Sequence, residues 1–362
     1  MKDKYWIAFS SIEQLDSRFI KRLYDYFGDI EKAFNCNLKE LENIDGLSVK
    51  KAQNFISLRD KTNIDKVFAD VESRGINFLT LESENYPQML KNIENPPAVL
   101  YYKGKLFDCN LDKTLAVVGS RKASSNSRSN LTKIISGLKN TDVCIVSGLA
   151  SGIDTVAHTS AIENNLKTIG VIASGFDFIY PKQNKVLYEN IEHGYGAIVT
   201  EYYPTFQPIQ FRFPQRNRIV SGLSYGTLVA EAGLKSGALI TANLTLEQGR
   251  ELMCIPGDIS NPNTQGIYKL LKNGATMITE SEDILDALSW EIMAEQKQTQ
   301  LTLPTMTNDE AIIFEHLEIE EKGVDELLTL TNMKLDNLLM NLTTMELKGI
   351  IKQVNGDRYK KV

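Results

Sequence analysis

The stretch Leu115-Ala-Val-Val-Gly119-Ser120-Arg121-Lys122-Ala-Ser-Ser125 sets the reading of the whole chain. A short run that is apolar at every position suits a parallel strand covered on both faces. The glycine-serine turn that ends it exposes backbone N–H groups beside a helix start, and both attract phosphate. Arg121 adds a bidentate donor on that turn. The same run recurs at Val143–Ser147, Thr168–Ala173, Ala197–Thr200, Thr227–Ala230, Leu252–Ile255 and Ala275–Ile278, with helical stretches between. The pattern predicts a doubly wound α/β domain over 81–290, with ligands at the carboxyl ends of its strands. No GxGxxG follows the first strand and no GxxxxGK[ST] occurs, which sets aside dinucleotide oxidoreductases and P-loop NTPases.

Outward from this core, Tyr86-Pro87 and Asn95-Pro96-Pro97 mark a connection into an expected edge strand at Ala98–Tyr102. Residues 1–80 read as a helical domain. Within it, two helices flank the Asp45-Gly46 turn around Leu38–Ile56, a helix-hairpin-helix or SAM-like pattern or a plain packing module. Residues 291–306 are polar and rich in Gln and Thr, the composition of a linker. Residues 307–362 predict three helices and a hairpin turning at Asn355-Gly356, hence a winged helix. Its third helix has Lys334 and Lys348 offset by Asp336 and Glu346, which favours protein contact or weak DNA contact.

Composition narrows the function. At 362 residues the chain has room for two or three domains, and 42% hydrophobic residues support a core. A net charge of −6 excludes a protein basic all over but allows a local basic groove. Cys36, Cys109, Cys144 and Cys254 are scattered, and with three histidines they give no zinc-ligand pattern. The polar N-terminus and the lack of an 18-residue apolar run point to the cytoplasm, with no membrane partner. No cofactor is expected.

The second expected strand ends in Ser147-Gly148-Leu-Ala-Ser151-Gly152-Ile-Asp154, a second small-residue loop on the same rim. Asp154 and His158, four apart on a helix, are expected to pair structurally rather than catalytically. The segment Tyr202–Ala230 holds no acidic residue in 29 positions and contains Phe211-Arg212-Phe213-Pro214-Gln215-Arg216-Asn217-Arg218. Arginines neutralise phosphates and phenylalanine stacks on an open base, which suits a single strand. On charge alone, Lys182, Arg212 and Arg218 join the candidate site.

Five motifs in order, VVGSRKAS, SGLASGIDTVAH, FPQRNRIVSGLS, EAGLKSGALITA and IPGDISNPNTQGIYKLLKNGA, resemble the DNA-processing protein A family (DprA, also called Smf) over roughly 81–290. The resemblance implies an extended Rossmann-like domain flanked by the N-terminal helical domain and the winged helix. It implies a non-enzymatic protein of natural transformation, which binds and protects incoming single-stranded DNA and helps load the RecA recombinase. Carried to matching positions, the strand-binding residues are Gly119, Ser120, Arg121, Ser147, Gly148, Phe213, Arg216 and Asn217. Gln210 stands where some members have a basic residue. The family's homodimer, with the helical spacing of Ile267, Leu270 and Leu271, places the interface around 267–273. A rival reading, a phosphoribohydrolase-like enzyme, rests on Ser221-Gly222-Leu-Ser-Tyr-Gly226-Thr227-Leu-Val-Ala-Glu231, which lacks the paired glycines of that class. The arginine cluster argues against a third, an adaptor that does not bind DNA.

Overall fold

The computed structural model describes residues 2–290, 306–317, 321–348, 350–354 and 356–361. It divides into two compact units, 1–292 and 293–362. The expected linker, 291–306, lies outside the described residues except for Met306.

The first unit is built on a nine-stranded sheet among the described residues. Its strands are β1 (Asn77–Thr80), β2 (Val99–Gly104), β3 (Thr114–Gly119), β4 (Cys144–Ser147), β5 (Thr168–Val171), β6 (Gly196–Thr200), β7 (Gly226–Glu231), β8 (Glu251–Cys254) and β9 (Thr276–Met277). They lie in the order β1-β2-β6-β5-β4-β3-β7-β8-β9. From β6 to β9 every neighbouring pair is parallel, while β1 and β2 add an antiparallel margin. Each apolar run named from the sequence holds a strand. The edge does not follow expectation: Val99–Gly104 lies inside the sheet, between β6 and β1, and Asn77–Thr80 forms the edge. Four residues are too short a run to show a period, and pairing of Phe78 with Tyr101 fixes them there.

Alternation along β3 divides the core. Leu115 and Val117 pack with Leu131, Ile135, Ile153 and Ala157, from helices Ser125–Gly137 and Ile153–Glu163. Ala116 and Val118 point the other way, into a core that includes Ile219 and Ala242 and reaches Trp6, Phe9 and Phe55 of the N-terminal helices. Each such Val, Leu, Ile or Phe side chain contributes ~1.5–3 kcal/mol when fully buried. The N-terminal helices therefore share a core with one face of the sheet. Among them, Leu38–Glu42 and Val49–Arg59 flank a turn in which Gly46 has φ +72°. All four cysteines are free and buried.

The chain leaves β3 toward β4 and later returns to the other side of β3 through β7. The strand order thus reverses between the parallel strands β3 and β7, and the crevice at their carboxyl ends is where such folds bind ligands.

The second unit has helices Asn308–His316, Val324–Thr331 and Leu335–Leu347. Beside them lies an antiparallel sheet of β10 (Lys322–Gly323), β12 (Arg358–Lys361) and β11 (Ile351–Gln353), in that order. The short β10 was not expected. The core is Ile313, Leu327, Leu338, Leu342, Met345 and Ile351.

Candidate nucleic-acid interface

The crevice is a cleft of about 1170 Å³, above the ~300–1,000 Å³ of ordinary small-ligand pockets. Its first bank is the turn after β3. The Ser120 N–H donates to the Glu231 carbonyl at 2.8 Å, and the Ser120 carbonyl accepts from the Ile153 N–H at 3.2 Å. Gly152 makes this close packing possible: its φ is +87°, and a Cβ there would lie 2.2 Å from the Ser120 carbonyl oxygen. The turn is thereby held to β7 and to the next helix, and Arg121 and Lys122 project from it exposed.

Glu231 supports the same turn from beneath. Its Oε2 accepts from the Ser124 N–H at 3.1 Å, the Ser124 hydroxyl at 2.6 Å and the Ser127 hydroxyl at 2.8 Å. A fully buried carboxylate so occupied is tied to the helix start, and it does not line the cleft.

Helix Arg212–Gly222, between β6 and β7, supplies the aromatic wall. Phe213 is half-buried and faces the cleft. The Arg121 guanidinium lies over its ring, 5.6 Å from the centroid, and the half-exposed Tyr180 ring lies 5.3 Å away at 58°. Such tilted pairs and cation–π contacts hold ring faces in defined orientations. Asn217 also lines the cleft.

Arg216 forms the floor at 4% exposure. Its Nη1 donates to the Gly148 carbonyl at 2.7 Å and to the Val171 carbonyl, while Nε has no partner. Burial pushes its pKa down to about 10, against the pull of Asp154. Among the described residues Asp154 is the one acidic side chain lining the cleft. Burial pushes its pKa up to about 6, opposed by Arg216, by the Ala150 and Gly148 N–H groups, and by Arg121. His158 is driven down to about 3, first by burial and then by Arg216. The expected Asp154–His158 pairing does not form. Asp154 accepts from the Ala150 N–H at 3.3 Å, and His158 Nδ1 is bonded to the Thr168 hydroxyl at 2.7 Å.

The structure brings Gly119, Ser120, Arg121, Phe213, Arg216 and Asn217 to one cleft and leaves other expected residues out of it. Ser147 is buried in the sheet and donates to the Val117 carbonyl at 2.6 Å. Gly148 lies behind Arg216, and a Cβ on it would come within 2.6 Å of Nη2. Lys182 is exposed at Lys182–Asn184 but does not line the cleft. Arg212, 2% exposed, pairs with Glu13 at 2.7 Å. Arg218 makes a two-pronged pair with Glu201, at 2.5 and 2.7 Å, and donates to the Asn95 carbonyl at 2.8 Å. Both charges are neutralised within the chain. Ile267 and Leu270, expected at a subunit interface, are buried in the chain's own core, and Leu271 is partly buried. Tyr180 and the loop Gly233–Ala238, which lies within the motif EAGLKSGALITA, are not among the expected strand-binding residues, and both also line the cleft. Position after β7, at the reversal, is the signal that marks that loop. Among the described residues no ion pair involves Arg121, Lys122, Lys182 or Lys235. No group of His, Cys, Asp and Glu there could hold a metal ion, and no helix is long and apolar enough to cross a membrane.

Residues 77–289 match the family described as DNA recombination-mediator protein A. The chain is 41% identical over 222 residues to the DNA processing protein DprA of Streptococcus pneumoniae, covering 61% of this chain and 78% of that one. It is 30% identical to protein Smf of Synechocystis over 391 aligned positions, covering 99% of this chain and 98% of that one. The crystal structure of the Streptococcus pneumoniae protein superposes with a TM-score of 0.70 at 34% identity, over 78% of this chain and 97% of that one. A structure of DNA processing protein A from Helicobacter pylori, described for its single-stranded DNA binding mode, gives 0.53 at 29%, over 59% and 95%. The chain belongs to the DNA recombination-mediator protein A family, the DprA/Smf proteins.

Proposed function

We propose that the cleft between β3 and β7 binds single-stranded DNA without sequence preference, in the service of natural transformation. The observation that carries this is Arg121 and Lys122, exposed and free of ion pairs among the described residues, beside the Phe213 and Tyr180 rings. Cations track phosphates, and ring faces take bases that only a single strand leaves open. The single-strand binding described for the Helicobacter pylori relative supports the same reading. Arg121 and Phe213 are the principal contacts, Asn217 and Arg216 line the floor, and Arg212 and Arg218 brace the helix. Binding to oligo(dT) should exceed binding to blunt duplex at equal salt, and should weaken in Arg121→Ala. Equal affinities, or an unaffected variant, would remove the proposal.

The protein is read as a binding protein without turnover. Glu231, on which an enzymatic reading would rely, is buried away from the cleft, with its Oε2 held by Ser124 and Ser127. Nucleoside monophosphate hydrolysis lost in Glu231→Ala would favour the enzyme instead. Help in loading RecA and a cytoplasmic location rest on family membership, and stimulation of RecA filament growth on coated single strands tests the first. A homodimer fits the edge of the sheet at β9, beside which no further strand lies among the described residues. Met277 is exposed there, and partly buried Leu271 lies just before it in sequence. Met277→Glu should give monomers in sedimentation. Residues 1–80, 81–290 and 307–362 are taken as three modules. The helical pair around Gly46 supports a helix-hairpin-helix-like first module, and three helices with an antiparallel sheet support a C-terminal winged helix.

A further inference from the structure

The cleft has two banks, and only one is used by the reading above. The second is the loop after β7, where Gly233, Lys235, Ser236 and Gly237 line the same cleft as Gly119–Lys122. Helix Ala238–Glu247, ten residues long, starts from it. Lys235 is exposed and forms no ion pair among the described residues. The Ser236 hydroxyl accepts from the Ala238 N–H at 3.3 Å, which fixes the loop on the helix start. Gly237 has φ −62°, a conformation open to any residue, and a Cβ there would meet nothing within 4 Å. The fold does not require glycine at this point, and its bareness leaves the helix start open to the cleft. Arg216, which lines the same cleft, is buried and keeps an Nε without a partner. Among the described residues that line the cleft, Arg121, Lys122, Lys235 and Arg216 stand against one carboxylate, Asp154, which leaves the cleft cationic on both banks.

We infer that the loop Gly233–Ala238 is a second phosphate seat, so that one strand crosses the crevice with successive phosphates held on opposite banks. Arg121 and Lys122 hold the first. Lys235 and the N–H groups at the start of helix Ala238–Glu247 hold the second, where the helix dipole favours an anion. This rests on the single-strand reading of the same cleft.

The test is a titration of oligo(dT) over a range of salt with Arg121→Ala, Lys235→Gln, Lys235→Arg and the Arg121→Ala/Lys235→Gln pair. Lys235→Gln should weaken binding ~10-fold, as expected for losing one charge-assisted contact. It should lower the salt slope by ~0.7, one phosphate's share on a single strand. Lys235→Arg should restore both, melting temperature should not move, and the double variant should lose the sum of the two effects. If Arg121→Ala weakens binding while Lys235→Gln matches the wild type, the second seat is wrong and the single-strand reading stands. If Lys235→Gln weakens binding with an unchanged salt slope, its contact is not to phosphate and the inference is overturned. If Arg121→Ala also binds normally, the single-strand reading itself falls.

Discussion

Arg121 and Phe213 meet across two elements: the guanidinium on the turn after β3 lies 5.6 Å from the centre of a ring on helix Arg212–Gly222. The contact places a charge and a stacking face side by side, so the two residues should fail differently. Phe213→Ala should cost ~1–3 kcal/mol of binding with little change in salt slope, and Phe213→Tyr should be tolerated. Melting temperature measured on the same variants separates stacking from packing. A strongly destabilised Phe213→Ala whose folded fraction binds normally would make the ring a core residue.

Gly148 and Arg216 compete for one space. Gly148→Ala would set a methyl 2.6 Å from Arg216 Nη2, forcing the guanidinium off the Gly148 and Val171 carbonyls. Hydrogen bonds to a charged group contribute ~1.5–3 kcal/mol each, so losing even one of the two should lower stability by about 1.5–3 kcal/mol in urea denaturation. A change under about 0.5 kcal/mol would mean that Arg216 moves aside freely.

Arg218 and Glu201 should matter to stability rather than to DNA. Removing one partner of a buried pair costs ~3–5 kcal/mol because the other charge stays behind uncompensated. Glu201→Gln should therefore lower the melting temperature, and Arg218→Lys, which cannot keep the fork geometry, should do so in part. The salt slope of the folded protein's DNA binding should not change in either. A lowered slope in Arg218→Gln, which removes the charge, would return this arginine to the interface.

DNA affinity should rise as pH falls through about 6, where Asp154 gains a proton and stops offsetting Arg216 and Arg121. His158, driven down to about 3, stays neutral across this range. The linked stability runs the same way for Asp154. Its folded pKa is raised, so its contribution is complete below the unfolded value of ~3.9 and is lost as pH rises through about 6. Asp154→Asn should bind at pH 7.5 as the wild type does at pH 5.5, with a flat profile between. A variant that keeps the wild-type pH profile would assign the titration elsewhere.

The parallel strands were legible because burial on both faces writes itself as unbroken apolar runs such as Leu115-Ala-Val-Val118. The Arg121 turn and Phe213 were legible from their neighbours. Arg212 and Arg218 misled because their counter-charges lie outside the acid-free stretch: Glu201 immediately precedes it, and Glu13 is 199 residues away. Ser147 and Gly148 form a small-residue loop, but the fold fills the room beside it with Arg216. Ile267 and Leu270 do lie on one helix face, and that face turns inward. Lys235 stands in the motif EAGLKSGALITA, but its place in the cleft, like that of Tyr180 after β5, follows only from the strand order, which brings loops distant in sequence to one crevice.

The most direct measurement is the salt-dependent affinity of the intact chain for oligo(dT) and for a blunt duplex of equal length, with Arg121→Ala in parallel. The expected result is tighter binding to the single strand at every salt concentration, with the Arg121→Ala slope lower by ~0.7. Equal affinity for the two nucleic acids, or an Arg121→Ala slope identical to the wild type, would contradict binding of a single strand in this cleft.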